Sequence, residues 1–195
     1  PDTMRLIDRW VGIPLCFFAS FWPLKKAQAD SNSTLATNIP PPDTIVFILI
    51  AEIGALVVAY PAIKETRKQH PKSRICFITA PAGLQTLELM GFEKEDIFLL
   101  ETTSIKSLLK GIVNIRSHFK GKRVSAIVLE PFTRFSTLLS AWIGASKRIG
   151  CYRFLNEGVY LGNILTHRLV YNPHLHMSQT YFALAKALIE PDSAK

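Results

Sequence analysis

The chain has 195 residues, 48% of them hydrophobic, and a formal net charge of +8. That apolar fraction, with a mean hydropathy of +0.19, excludes a disordered polypeptide and fits one α/β domain around a buried sheet. The basic balance suits nucleic acid, an anionic membrane surface or a phosphorylated substrate; Lys and Arg are scattered and nowhere interleaved with aromatics, so nucleic acid ranks last.

Pro1-Asp2-Thr3 precede Met4, which reads as the natural start, and are set aside from the fold reasoning. Trp10 to Leu24 (WVGIPLCFFASFWPL) is an apolar run with Arg5 and Arg9 before it and Lys25 and Lys26 after it. It is shorter than the roughly 20 residues that span a bilayer. Ala27-Gln28-Ala29 imitates a signal-peptide cleavage site, but Lys25 and Lys26 charge that region, Asp8 interrupts the basic stretch and Pro14 the apolar one. Two readings of residues 1–28 stay open: an interfacial anchor on an anionic leaflet, and a helix packed on another part of the protein. Residues 29–42, polar and then proline-rich, read as a linker into a folded unit over 43–190.

From Asp43 onward short β-branched runs alternate with helical periodicity. Thr44 to Ile50 (TIVFILI) is a strand buried on both faces, followed by a helix that runs to about Gln69. Arg74 to Thr79 is a second strand, Ala82 to Met90 a short helix stopped by Gly91, and Asp96 to Leu100 a third strand. Ser104 to Phe119 is an amphipathic helix ended by Gly121, and Val124 to Leu129 a fourth strand. Phe132 to Ile143 forms a helix capped by Gly144, with Pro131 as its start signal. Arg148 to Cys151 and His167 to Tyr171 are short strands, and His174 to Ile189 is the closing helix. This order predicts an α/β, Rossmann-like parallel sheet with helices on both faces. Ligands of such sheets bind beyond the carboxyl ends of the strands.

The turns after the strands therefore carry the candidate chemistry. After the first strand, Gly54 permits close backbone approach at a helix start, and Glu52 offers a general base for a sugar hydroxyl. A carboxylate interacting with the helix dipole is the alternative for Glu52. The turn has neither the GxGxxG nor the Walker pattern, which argues against a nucleotide-binding Rossmann domain of another enzyme. After the fourth strand, Glu130, Thr133 and Arg134 bring carboxylate, hydroxyl and guanidinium to the sheet mouth, suited to sugars and phosphates. A capped helix with an exposed arginine is the alternative there. Lys147, Arg148 and Arg153 crowd one strand, as substrate contacts or as a solvated basic edge. His174 and His176 form an HxH pair without a third ligand, and Cys16, Cys76 and Cys151 form no CxxC pair. Neither a metal site nor a cofactor is expected, and the thiols read as reduced core residues of a cytosolic protein.

Three stretches carry a family resemblance: IVFILIAEIGALVVAYPAIKETRKQHP, EPFTRFSTLLSAWIGASKRIGCYR and EGVYLGNILTHRLVYNPHLHMSQTYFALAKAL. In order and spacing, from about Thr44 to Leu188, they resemble the family 9 glycosyltransferases, which include the heptosyltransferases of lipopolysaccharide assembly. The resemblance implies the N-terminal, acceptor-side half of a GT-B architecture, with a C-terminal donor-binding domain absent from this chain. It implies transfer of a heptose-like sugar, with inversion, from a nucleotide-sugar donor to a lipid-linked and phosphorylated saccharide. The place would be the inner face of the cytoplasmic membrane, with an anionic membrane surface as partner; this half alone would be inactive. Gly54, Glu130, Thr133, Arg134, Arg148 and Arg153 would form the substrate-binding set. One departure matters: heptosyltransferases carry an Asp, regarded as the catalytic base, directly after the turn glycine, and here that position is Ala55. Glu52 is then the candidate base, and a non-catalytic sugar- or membrane-binding module is the alternative function.

Overall fold

The computed structural model describes residues 12–21, 41–154 and 159–189. In chain order the elements are helix α1 (Gly12–Phe21), strand β1 (Thr44–Ile48), helix α2 (Ile53–Gln69) and strand β2 (Arg74–Thr79). A 3-10 turn (Pro81–Gly83) leads into α3 (Leu84–Leu89), and a second (Lys94–Asp96) into β3 (Ile97–Leu99). Then come α4 (Ile105–Phe119), β4 (Val124–Val128), α5 (Arg134–Trp142), β5 (Lys147–Phe154), β6 (His167–Tyr171) and α6 (Met177–Lys186).

The strands form one six-stranded sheet in the order β3-β2-β1-β4-β5-β6, and every neighbouring pair is parallel. The parallel sheet expected from the alternation of strands and helices is therefore present. Every residue of β1 and of β4 is buried, which explains their near-continuous apolar sequence. Alternate residues feed two cores, because successive side chains leave a strand on opposite faces. Ile45, Phe47 and Leu49 pack with Leu56, Ala59 and Ile63 of α2 and with Tyr181 and Leu184 of α6. Val46 and Ile48 pack on the other face with Ile115 and Phe119 of α4 and Leu139 of α5. Cys76 and Cys151 are buried in these cores, one on each face.

Local rules explain the helix ends. Gly121 and Gly144 follow α4 and α5 with φ of +82° and +81°, the left-handed conformation that a side chain disfavours. Helix α2 runs unbroken through Pro61, although proline removes one amide from its ladder. Its buried face of Leu56, Ala59, Ala62, Ile63 and Thr66 holds it on the sheet.

Among the boundaries that differ from the sequence reading, three bear on the site. Helix α5 begins at Arg134, not Phe132, because Phe132 has φ of 62° and Thr133 is the extended N-cap. Pro131 therefore stands in the turn before the helix rather than in its first position. Strand β5 starts at Lys147 and continues to Phe154, where its outer half pairs with β6. Helix α6 is shorter than expected, since His176 is its N-cap and accepts from the Ser178 amide.

Helix α1 packs on α5. Its Gly12 and Cys16 are buried, whereas Ile13, Leu15, Phe17 and Phe18 are exposed. Among the described residues no helix is long and apolar enough to cross a membrane. The basic flanks Arg5, Arg9, Lys25 and Lys26, and linker residues 29–40, lie outside the described residues.

Candidate functional site at the carboxyl edge of the sheet

Strand β1 leads into α2, which covers one face of the sheet, and its neighbour β4 leads into α5 on the other face. The chain diverges between these two strands, and such a switch point is where α/β sheets place a ligand crevice, beyond the carboxyl ends. The turn at Ala51–Ala55 forms one wall, and the turn at Glu130–Arg134 the other.

Glu130 fastens the two walls together. Only 6% exposed, it reaches from the end of β4 to the end of β1. Its Oε1 accepts from the amides of Ile50 at 2.8 Å and Ala51 at 2.6 Å. Its Oε2 accepts from the Ser136 hydroxyl in the first turn of α5. Hydrogen bonds to an ionised acceptor are about twice as strong as neutral ones, and a buried carboxylate is tolerated only when so satisfied. Glu130 thus builds the crevice, with its oxygens already committed. Ser136 looked like an ordinary helix residue in the sequence, and only its place one turn above Glu130 gives it this part.

Beside this clamp the turn takes a strained form. Phe132 adopts a left-handed conformation rare for a residue with a bulky side chain. Its ring meets the edge of the Tyr171 ring at the end of β6, with centroids 5.6 Å apart and planes at 86°. The T-shaped contact ties the β4 turn to the far side of the carboxyl edge and helps offset the backbone cost. Half-buried Thr133 caps α5 by position but makes no side-chain capping bond; its hydroxyl lies 3.5 Å from the Pro131 carbonyl. Half-buried Arg134 donates through Nε to the carbonyl of Tyr160 at 3.2 Å.

On the opposite wall Glu52 is the N-cap residue of α2, extended and exposed. Its carbonyl accepts from the Ala55 amide at 3.1 Å, while its carboxylate makes no capping bond to the helix. Gly54 faces open space, with nothing within 4 Å of where a Cβ would stand, so any close approach there would be made by a bound molecule. Below the wall lies Tyr181 of α6, a residue the sequence did not single out. Its hydroxyl is buried without a hydrogen-bond partner. Burial above all, then the negative field of Glu52 and further acidic groups including Glu130, pushes it up to about 12. The signal in the sequence was no more than a tyrosine on an apolar helix face.

The three candidate arginines separate. Arg153 is exposed in the outer half of β5, beside the bulge at Cys151/Arg153 and opposite Val170, and so lies toward the carboxyl edge. Arg148 lies elsewhere. It is the second residue of β5, opposite Ala126, and is 1% exposed. Its Nε donates to the Ile164 carbonyl and its Nη1 to the Ala145 carbonyl, both at 2.5 Å. Its amide donates to Thr166 Oγ1 at 2.8 Å. Arg148 thereby joins the turn before β5 to the segment before β6, at the amino end of the sheet. Of the three arginines grouped by the sequence, this one has its guanidinium on backbone carbonyls. Lys147, on the opposite face of the strand, likewise donates to a backbone carbonyl, that of Leu188, at 2.8 Å.

His174 and His176 stand at the start of α6, where His176 Nδ1 lies 2.7 Å from Ser178 Oγ and serves as the cap. Among the described residues no group of three or more His, Cys, Asp or Glu could hold a metal. Two open depressions lie elsewhere on the surface. One depression of about 250 Å³ lies between α2 and Phe92, and another of about 470 Å³ lies between β3 and α4.

No protein-family model and no curated protein matches the sequence. Solved structures do match the fold. The glycosyl transferase family 9 protein of Veillonella parvula DSM 2008 superposes with a TM-score of 0.58 at 18% identity, over 80% of this chain and 43% of that one. Heptosyltransferase WaaC of E. coli, with ADP-2-deoxy-2-fluoro heptose, gives 0.56 at 9% identity, over 73% of this chain and 47% of that one. The same enzyme with ADP gives 0.56 at 10% identity, over 78% and 49%. The chain thus spans less than half the length of the structures it resembles. The Rossmann-like fold is the one found in family 9 glycosyltransferases, and at these identities the likeness concerns the fold alone.

Proposed function

We propose that residues 43–190 are the acceptor-side domain of an inverting glycosyltransferase, whose nucleotide-sugar donor is held by a second domain outside this chain. The observation that carries the reading is the β1/β4 crevice. It sets an exposed, uncapped carboxylate, Glu52, on one wall and the Arg134 turn on the other, in a fold shared with family 9 glycosyltransferases. The acceptor is a lipid-linked, phosphorylated saccharide such as a lipopolysaccharide core precursor. Arg134 and Arg153 attract its anionic groups, while the open turn at Gly54 leaves room for a sugar. Glu52 takes the proton of the acceptor hydroxyl as its oxygen attacks the anomeric carbon. The nucleoside diphosphate leaves from the opposite side, which inverts the configuration. The protein works in the cytoplasm, peripheral on the inner face of the membrane, where the N-terminal apolar segment meets anionic lipid.

The test uses the protein carrying both domains. Glu52→Gln should lower kcat on the order of 10²-fold or more, with little change in acceptor KM. The double substitution Arg134→Ala, Arg153→Ala should raise acceptor KM about tenfold or more with a smaller effect on kcat. Wild-type turnover in Glu52→Gln would remove the base assignment. Ala55, at the place of the family's Asp, favours a second reading, a non-catalytic sugar- or membrane-binding module. That reading predicts acceptor binding without turnover in the wild-type two-domain protein.

A further inference from the structure

Half of the large apolar side chains exposed among the described residues lie on one helix layer. Helix α1 is composed of apolar and small residues, and it turns Gly12 and Cys16 inward while Ile13, Leu15, Phe17 and Phe18 face out, Phe18 at 68% exposure. Helix α4 has a second exposed row, Ile105, Leu109 and Val113, at 71%, 56% and 57%. These residues recur every four positions and share a flank distinct from the buried side of Ile115 and Phe119. Arg116, three residues beyond Val113, lies on that same flank. Its guanidinium donates to the Trp142 carbonyl at the end of α5 and lies over the Trp142 ring, 5.5 Å from the centroid. The apolar row of α4 is thereby turned toward α5, the helix on which α1 packs. Trp142 itself is 52% exposed.

Charge selects the occupant. Helix α4 contains no acidic residue and presents Lys106, Lys110 and Arg116 beside its apolar row. The sequence around α1 adds Arg5, Arg9, Lys25 and Lys26. Exposed aliphatic and aromatic side chains flanked by an excess of cations, here over Asp8 and Glu101, suit an anionic lipid surface. We infer that α1, Trp142 and the α5-facing flank of α4 together form one membrane-docking face. This deepens the proposed peripheral membrane association and rests on it, since it assigns a folded part of the domain to lipid contact beside the N-terminal segment.

The experiment is flotation of the 195-residue chain with phosphatidylcholine vesicles, with and without about one-third phosphatidylglycerol. The wild type should float with the anionic vesicles. Leu109→Glu combined with Val113→Glu should weaken binding about tenfold or more. Leu89→Glu, at a residue 90% exposed on α3, should leave it unchanged. If the glutamate pair disturbs folding, Leu109→Ser with Val113→Ser is used instead. A chain with Trp10→Phe and Trp22→Phe keeps Trp142 as its sole tryptophan, whose emission should shift to the blue on vesicle binding and be quenched by brominated lipid. Unaltered flotation of the α4 variants, or an unmoved Trp142 signal on bound vesicles, overturns the inference while leaving an anchor in the N-terminal segment standing. Failure of the wild type to bind any vesicle overturns both. A stable dimer in which α4 and Trp142 are covered overturns the inference alone. The assignment of the crevice is judged separately, by turnover on a soluble acceptor.

Discussion

Glu130 and Arg148 are both buried charged residues, separated along the chain by a single helix and turn, and their tasks diverge. Glu130 gathers two amides and a hydroxyl at the carboxyl edge of the sheet, and in doing so fixes both walls of the crevice. Arg148 gathers backbone carbonyls of the segments that precede β5 and β6. The difference teaches that a buried charge is first an answer to unsatisfied backbone. Nearness to function follows from which end of the sheet that backbone occupies.

The largest expected effect breaks the contrast at the amino edge. Arg148→Ala removes the guanidinium from buried backbone carbonyls, and should cost about 3–5 kcal/mol in urea unfolding. Acceptor binding by the protein that remains folded should be unchanged. A loss of affinity at undiminished stability would return Arg148 to the binding set.

At the carboxyl edge the cost is smaller but reaches the site. Glu130→Ala should destabilise by about 2–3 kcal/mol, and Ser136→Ala by about 1 kcal/mol. Hydrogen exchange at the Ile50 and Ala51 amides should accelerate in Glu130→Ala and much less in Ser136→Ala, because only the former removes their acceptor. Equal exchange in the two variants would mean that the turn after β1 holds its shape without the clamp.

The smallest effect concerns pH and separates the cores from both edges. Burial pushes Cys76 up to about 12 and Cys151 to about 11, and burial with the field of Glu52 pushes Tyr181 up to about 12. Each keeps in the folded chain a proton that the unfolded chain releases at about pH 8.5–10. Their stability is therefore complete below that range and is lost as pH rises toward the folded values. The histidines give the opposite limb. Burial first, then Lys147 for His70 and Lys122 for His118, lowers both. Their neutral forms support folding above about pH 6.5, and that support fades as pH falls through the lowered folded values. Urea midpoints measured from pH 5 to pH 10.5 should fall at both ends. A profile still rising above pH 9.5 would contradict the burial of the two thiols and the tyrosine.

Most of the fold was legible because it rests on local rules. β-branched runs next to helical periodicity specify strand and helix whatever their neighbours, and Gly121 and Gly144 mark helix ends through φ values open to glycine. Alternation of the two elements then implies a parallel sheet, and the parallel sheet implies a site at its carboxyl edge. The sequence by itself thus determined the sheet, the cores and the turns to inspect, including those at Glu52 and Glu130. Only the tertiary structure decided what the side chains in those turns do. Whether Glu130 binds a ligand or the backbone depended on β1 lying beside β4 in a register that brings Ile50 and Ala51 within its reach. The Arg148 guanidinium was directed to the segments before β5 and β6 by the approach of Ile164 and Ala145, which KRIGCYR does not record. Tyr181 came under Glu52 only when the last helix packed against α2. Such contacts join residues far apart along the chain, and a periodicity measured over one or two turns holds no record of them.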